Sequence, residues 1–181
     1  MKLLSLLRSP FSRGFQVSAC VLMAGCASVP SVPAPLRVPE GQALMKRLHA
    51  TGVQIYQCQA AKNDPSRFEW SFKQPEAVLL TKAGRNFGRH YAGPTWEADD
   101  GSKVIGEMIA RADGAKPDAI PQLLLRAKAT SGKGVFSGVQ FVQRLNTVGG
   151  SAPMTACRQD QAGQQLRVSY TADYLFYAGK R

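Results

Sequence analysis

The chain has 181 residues, with 23 Lys or Arg against 12 Asp or Glu, so its formal net charge at pH 7 is +11. This length suits one domain with a sizeable core. A basic surface favours anionic partners, although the charge can also serve solubility alone. The sequence contains no phosphate-binding glycine loop and no dinucleotide fingerprint, which argues against the common nucleotide-binding folds.

The first 25 residues have the order of a secretory signal peptide. Lys2, Arg8 and Arg13 form a basic region, and a short, mostly apolar run follows over 14–24. Such a run is typical of a signal peptide and is too short to span a bilayer as a stable helix. We therefore predict a signal peptide over 1–25, whose removal leaves 20 basic and 12 acidic residues.

A cysteine follows small residues at the end of the apolar run, where residues 22–26 read LMAGC. This ending resembles the lipobox of bacterial lipoproteins, which implies that Cys26 carries acyl chains. Several acyl chains anchor firmly, because each buried methylene contributes about 0.8 kcal/mol. The alternative is an ordinary signal peptide cut near Ala27 or Ser28. Since Ala27 rather than Asp follows Cys26, the resemblance implies the outer membrane, with the domain facing the periplasm or the cell surface.

Residues 26–39 are predicted to be the lipidated cysteine and a proline-rich tether, followed by a single domain over 40–178. The prolines are Pro30, Pro33, Pro35 and Pro39. They favour an extended, semi-rigid spacer of about 3.1 Å per residue. Export would leave the membrane as one partner, through Cys26, and would take the protein away from nucleic acid.

Cysteine usage agrees with export. Two of the four cysteines fall in the predicted leader and anchor, which leaves Cys58 and Cys157 for the domain. In an oxidising compartment this pair is expected to form a disulfide. The loop of about 100 residues that it closes is worth about 4.7 kcal/mol in the chain-entropy model. A thiolate metal site would lack ligands, since the sequence has no CxxC motif and only two histidines, His49 and His90. We therefore expect no metal or other cofactor.

Alternation with a period of two dominates the remaining sequence, which is typical of half-buried strands. Phe68, Trp70 and Phe72 share one face, and Val168, Tyr170, Ala172, Tyr174 and Phe176 share another. Similar segments occupy 53–58, 77–81, 86–91, 95–98, 103–111, 123–129 and 139–145.

Turn signals separate these segments. The DDGS sequence at 99–102 is a strong hairpin signal, because Asp-Gly accepts a positive φ. Only 40–49 fits a helical turn as well as a strand. The pattern predicts an all-β, mainly antiparallel single domain with little helix. It is either a β-sandwich or a closed β-barrel of roughly eight to ten strands.

Five motifs in a fixed order resemble a known family. They are TGVQIYQC (51–58), HYAGPTWE (90–97) with DGS (100–102), AIPQLLL (119–125), QRLNTVGG (143–150) and YTADYLFY (170–177). Together they resemble the exported family catalogued as domain of unknown function 3455, over about 38–177. The resemblance implies an exported single domain and brings no established activity with it.

The densest group of polar and aromatic residues lies at 89–101. Its Gly-Pro turn predicts that His90 or Tyr91 lies beside Trp96 or Glu97 on adjacent strands. His90 in contact with Glu97, or with an Asp, would form a general base pair, which makes His90 and Glu97 the candidate catalytic residues of a small hydrolase or isomerase. Tyr and Trp beside polar groups also suit sugar or amphiphile binding. The alternative is a tight β-corner with aromatic residues in the core and His90 bonded to the backbone.

A later strand places Arg144 and Asn146 on one face. Arg144 can bind a carboxylate or phosphate through two parallel hydrogen bonds, or it can pair with Glu97 or Asp173. The serines in glycine-rich surroundings lack the strand-turn-helix context of a hydrolase nucleophile.

The leading hypothesis is a non-enzymatic envelope lipoprotein that binds an anionic or amphiphilic envelope component or a protein partner. The expected ligand-binding residues are His90, Tyr91, Trp96, Glu97, Arg144 and Asn146. The hydrolase or isomerase that uses His90 is one alternative. A metal-binding or redox role for His90 with nearby acids is another.

Overall fold

A computed structural model describes residues 32–180 of the chain; the predicted signal peptide and Cys26 lie outside these residues. Eight strands follow one another. They are β1 (Gln42–Ala61), β2 (Asp64–Leu80), β3 (Asn86–Tyr91), β4 (Thr95–Ala98), β5 (Lys103–Ala112), β6 (Gln122–Ser131), β7 (Phe141–Gly149) and β8 (Gln165–Gly179). Two 3₁₀ turns, Ala34–Leu36 and Gln159–Gln161, are the only helical segments of the described residues.

Each strand pairs antiparallel with the next, and β8 pairs with β1, so that the sheet closes into a barrel. The prediction of an all-β antiparallel domain is confirmed, and of its two forms the barrel is the one observed. The ambiguous segment 40–49 belongs largely to β1, which pairs with β8 along nearly its whole length. Backbone pairing with β8 decides the strand, since the side-chain pattern there fits both structures.

Alternation along the strands sends one set of side chains into the barrel. On β8 the inward residues are Tyr170, Ala172, Tyr174 and Phe176, and each of them is buried in the main core. This matches the face predicted from the period of two. Packing of these large side chains fills the middle of the barrel.

One end of the barrel is filled by the connection between β6 and β7, and we call it the plugged end. Phe136 from this connection is fully buried, with its ring centroid 4.5 Å from that of Phe176. The backbone N–H of Val135 donates to Oδ2 of Asp100 at 2.9 Å, and that of Phe136 donates to Oγ of Ser102 at 3.1 Å. The DDGS turn between β4 and β5 therefore fixes the plug in place.

The segment that precedes β1 packs on the outside of the barrel. Leu36 is fully buried in a second apolar cluster with Leu124 and Leu145, and Nε2 of Gln143 donates to its carbonyl oxygen at 2.6 Å. The last residues of the predicted tether, from Val32 onward, belong to the compact unit that contains the barrel. Their apolar side chains cover an apolar surface of the barrel.

The predicted disulfide between Cys58 and Cys157 is confirmed, with 6.0 Å between the two Cα atoms. It joins the end of β1 to the connection between β7 and β8. The hydroxyl of Tyr56 donates to the carbonyl of Gly150 at 2.7 Å and holds the start of the same connection. Among residues 32–180, no helix is long and apolar enough to cross a membrane.

Candidate ligand-binding cavity

The end of the barrel opposite the plug contains a cavity of about 510 Å³, and we call it the open end. Small-molecule sites typically have volumes of about 300–1,000 Å³. The deep part of the cavity is lined by Gln54, His90, Trp96, Leu125, Arg144 and Tyr174, and its mouth by Phe72, Lys73, Met108 and Arg111. The deep side chains are buried or half-buried, and the four at the mouth are exposed.

Three aromatic side chains form the floor of the cavity. The tight connection between β3 and β4 places His90 directly opposite Trp96, and the two rings stack with centroids 4.6 Å apart. Tyr174 of β8 lies 5.0 Å from the His90 ring and 5.3 Å from the Trp96 ring. Gly106 of β5 makes room for the indole, since a Cβ there would lie 2.9 Å from Cζ3 of Trp96. We call His90, Trp96 and Tyr174 the aromatic floor.

His90 is neutral in this position. Its Nδ1 lies 2.8 Å from the carbonyl oxygen of Thr95, and because a carbonyl only accepts, Nδ1 carries the proton and Nε2 the lone pair. Burial lowers the pKa of His90 to about 3, and the positive charge of Arg144 acts in the same direction. The imidazole is therefore a neutral acceptor at any pH near 7.

Several buried polar atoms beside the aromatic floor lack a hydrogen-bond partner within the described part of the chain. They are Nε2 of Gln54, Nε1 of Trp96 and the hydroxyls of Tyr170 and Tyr174. Burial raises the pKa of Tyr174, and Arg144 and the Tyr170 hydroxyl oppose this shift; both groups are near the Tyr174 hydroxyl, but neither has the geometry of a hydrogen bond with it. A buried donor without an acceptor costs about 1–3 kcal/mol, and an acceptor from outside the protein, water or a ligand, removes this cost.

Arg144 brings a positive charge into the cavity. Its Nε donates to the carbonyl of Pro121 at 3.0 Å, which fixes the guanidinium, and Arg144 pairs with no carboxylate of residues 32–180. The suggested pairing with Glu97 or Asp173 is wrong, because strand alternation turns both carboxylates to the outer surface. No acidic side chain of the described residues lines the cavity.

The two outward carboxylates have partners of their own. Glu97 accepts from the hydroxyl of Tyr91 at 2.7 Å and from Arg89 at 3.0 Å, and the Tyr91 hydrogen bond is the main reason that its pKa is lowered. Asp173 accepts from Arg47 at 2.8 Å and from Nδ2 of Asn146 at 2.7 Å. Both groups belong to surface networks and stand apart from the cavity.

The structure therefore divides the six expected ligand-binding residues. His90, Trp96 and Arg144 line the cavity, whereas Tyr91, Glu97 and Asn146 lie on the outer surface. His90 and Glu97 point to opposite faces of the sheet and do not form the suggested general base pair. Asn146 leaves the face of Arg144 at an irregularity of β7, where its own φ is +51°.

Two further residues of the cavity are not among the ligand-binding residues that the sequence predicts. Gln54 and Tyr174 stand at inward positions of β1 and β8, in the motifs TGVQIYQC and YTADYLFY. A polar or hydroxyl-bearing side chain at an inward strand position is the sequence signal that could have identified them. For metal binding, no three His, Cys, Asp or Glu side chains of residues 32–180 converge on one point.

Comparison with known proteins gives one result on family and none on function. No curated protein and no solved structure matches the chain. The family model described as "Protein of unknown function (DUF3455)" matches residues 39–178. Since this match covers most of the chain and agrees with the resemblance of the five motifs, the protein belongs to that family.

Proposed function

We propose that this protein is an exported, lipid-anchored binding module that holds one amphiphilic molecule with an anionic group inside its barrel. The observation that carries the proposal is the cavity at the open end, which combines an apolar wall with a fixed guanidinium that pairs with no carboxylate of the described residues. Barrel interiors of this size commonly hold one small ligand.

The chemistry of the cavity favours binding over catalysis. His90 is neutral and its Nδ1 is used by the backbone, and no carboxylate of the described residues lies beside it. A general base needs a partner or a nearby proton to abstract, and a nucleophile needs activation. The donors of Gln54 and Tyr174 are instead suited to accepting groups of a ligand.

Electrostatics favour an anionic ligand. Lys73 and Arg111 stand at the mouth and Arg144 stands deeper, without an acidic residue in the described lining. A cleft with charges of one sign attracts opposite charge and raises the association rate. The basic balance of the whole chain acts in the same direction.

Export and anchoring are supported by the leader, by the LMAGC sequence at 22–26 and by a disulfide suited to an oxidising compartment. The test is metabolic labelling of the full-length protein in a bacterial host with a tagged fatty acid. We expect label on the wild type and on Cys20→Ala, and none on Cys26→Ala. Label that persists on Cys26→Ala would overturn the anchor.

The cavity is tested by filling it. Leu123 lines the cavity and is only half-buried, so Leu123→Trp should occupy part of the volume without overpacking the core. We expect this variant of the mature chain to bind a fluorescent fatty acid at least about tenfold more weakly, a loss of about 1.4 kcal/mol. Val78→Trp, on the exposed outer surface, is the matched control. Equal affinity of the two variants would place the binding site elsewhere.

A further inference from the structure

We infer that the ligand of this cavity is a monocarboxylate that enters head first, with its carboxylate on Arg144 and its apolar chain between Phe72 and Met108. This inference rests on the proposed function and adds a ligand class and an orientation to it. The arrangement is the reverse of a pocket that takes an apolar tail inward and leaves the charged head in water.

The distribution of polarity with depth sets the orientation. Gln54 and Tyr174 are 2% and 1% exposed, and each has a polar atom without a partner in the described residues. Phe72 and Met108 at the mouth are 56% and 55% exposed. Buried donors without a partner therefore lie deep, and Phe72 and Met108 offer apolar surface at the mouth, so an amphiphile with its polar end inward satisfies both.

The deep polar groups select an anion with one charge. Among residues 32–180, Arg144 is the single cation beside the aromatic floor, and His90 adds no charge because burial lowers its pKa to about 3. Since the Nε of Arg144 is used by Pro121, its two terminal nitrogens remain for the ligand. A carboxylate accepts parallel hydrogen bonds from a guanidinium and brings one negative charge to balance it.

The mouth suits an apolar chain. Phe72 packs edge-on against Tyr56, with ring centroids 5.8 Å apart, and it stands on β2. Met108 stands on β5, on the other side of the hairpin formed by β3 and β4, and its flexible thioether adapts to the shape of a ligand. Lys73 and Arg111 at the mouth attract the anion as it approaches but lie in solvent, where a charge pair contributes little.

The first experiment compares octanoate with octanol, two ligands that share a chain and differ in the head. Calorimetric titrations use the mature chain with Cys26→Ser, which removes the acylation site. We expect the wild-type protein to bind octanoate about tenfold or more tightly than octanol, because only octanoate can accept charge-assisted hydrogen bonds from Arg144. Arg144→Gln should abolish the preference and keep the affinity for octanol. Arg111→Gln tests the mouth and should change the preference far less than Arg144→Gln does, and Arg126→Gln, an exposed cation outside the cavity, is the matched control that should leave both affinities unchanged.

The outcomes separate the two proposals. If wild-type protein binds octanol as tightly as octanoate, the inference is overturned and the proposed binding function stands. If the preference is lost in Arg111→Gln and kept in Arg144→Gln, the head lies at the mouth and the inference is again overturned. If neither molecule binds, both the inference and the proposed function are contradicted.

The second experiment tests orientation without changing Arg144, so it holds even if the Arg144 variants fail to fold. Trp70→Phe leaves Trp96 of the aromatic floor as the single tryptophan. Bromine quenches tryptophan fluorescence at short range, and a head-first ligand brings the carbon beside the carboxylate closest to Trp96. We expect stronger quenching by octanoate brominated there than by octanoate brominated at the terminal carbon. Stronger quenching by the terminal bromine would overturn the inference.

Discussion

The plugged end of the barrel is filled by packed side chains, whereas the open end contains a cavity. At the plugged end, Asp100 and Ser102 accept the backbone N–H groups of Val135 and Phe136, and Phe136 fills the interior. At the open end, polar side chains as deeply buried as this plug have no partner within residues 32–180. The polar groups that fix Val135 and Phe136 have partners and the apolar side chains around them are packed, whereas the open end leaves donors around a cavity.

This difference suggests that the plugged end mainly determines the stability of the fold and the open end mainly determines ligand binding. Fully satisfied, close-packed regions contribute most to the free energy of folding. Buried donors without acceptors reduce it, and proteins keep such groups where function requires them. We therefore expect changes at the plugged end to act on unfolding and changes at the open end to act on ligand affinity.

The largest effect is expected from Phe136→Ala at the plugged end. Removing a fully buried phenyl ring should lower the free energy of unfolding by about 3–5 kcal/mol, through lost burial and the cavity that remains. Denaturant unfolding followed by circular dichroism measures it. At temperatures where the variant is folded, its affinity for octanoate should match that of the wild type. A large loss of affinity with little loss of stability would contradict the assignment of stability to the plugged end and binding to the open end.

The next effect concerns the disulfide that holds the connection between β7 and β8 to β1. Replacing both Cys58 and Cys157 by Ser should lower stability by about 2–4 kcal/mol, since the bond closes a long loop in the unfolded chain. Thermal unfolding with and without a reductant measures it. The reductant should lower the melting temperature of the wild type and leave that of the double variant unchanged. A wild-type protein insensitive to complete reduction would contradict the expectation.

The strands and their buried faces can be predicted from the sequence, because apolar and polar residues alternate with a period of two along a half-buried strand. The face of β8 that carries Tyr170 and Tyr174 is predicted by alternation alone and is confirmed inside the barrel. The disulfide follows from a count of the cysteines and is confirmed. Closure of the sheet depends on β1 meeting β8, which are distant in the chain, and alternation carries no information on that.

The cavity was predictable only in part. His90 and Trp96 share a face because the turn between them sets their register, and by the same register Glu97 must face outward. Glu97 is among the predicted site residues because it is next to Trp96 in the sequence, although neighbouring residues of a strand face opposite sides of the sheet. The irregularity that turns Asn146 away from Arg144 depends on a positive φ at a non-glycine residue, which local sequence does not specify.

A smaller effect is the loss of stability on mild acidification, and its origin is His90. The pKa of His90 is about 3 in the folded state and 6.5 in the reference state, so the unfolded chain binds more protons between these values. The contribution of His90 is fully present above pH 6.5 and is lost as the pH falls. Between pH 7 and pH 5 the loss should be about 2 kcal/mol.

Urea unfolding across this pH range tests the expectation. His90→Asn keeps a donor for the carbonyl of Thr95 and removes the titrating group, so its stability should change less with pH. His49→Asn, which changes the exposed histidine beside Asp173, is the control and should keep most of the wild-type profile. Equal pH dependence of the wild type and His90→Asn would contradict a buried, neutral imidazole.

The smallest effect compares two tyrosine hydroxyls. The hydroxyl of Tyr174 has no partner among the described residues, whereas that of Tyr177 donates to Oε1 of Gln143 at 2.6 Å. Tyr177→Phe should lower the free energy of unfolding by about 0.5–1.5 kcal/mol, and Tyr174→Phe should leave it unchanged or raise it by less than about 1 kcal/mol. Affinity for octanoate should fall only in Tyr174→Phe. If Tyr174→Phe is the less stable variant and binds octanoate like the wild type, its hydroxyl serves the fold, and the open end loses the property that separates it from the plugged end.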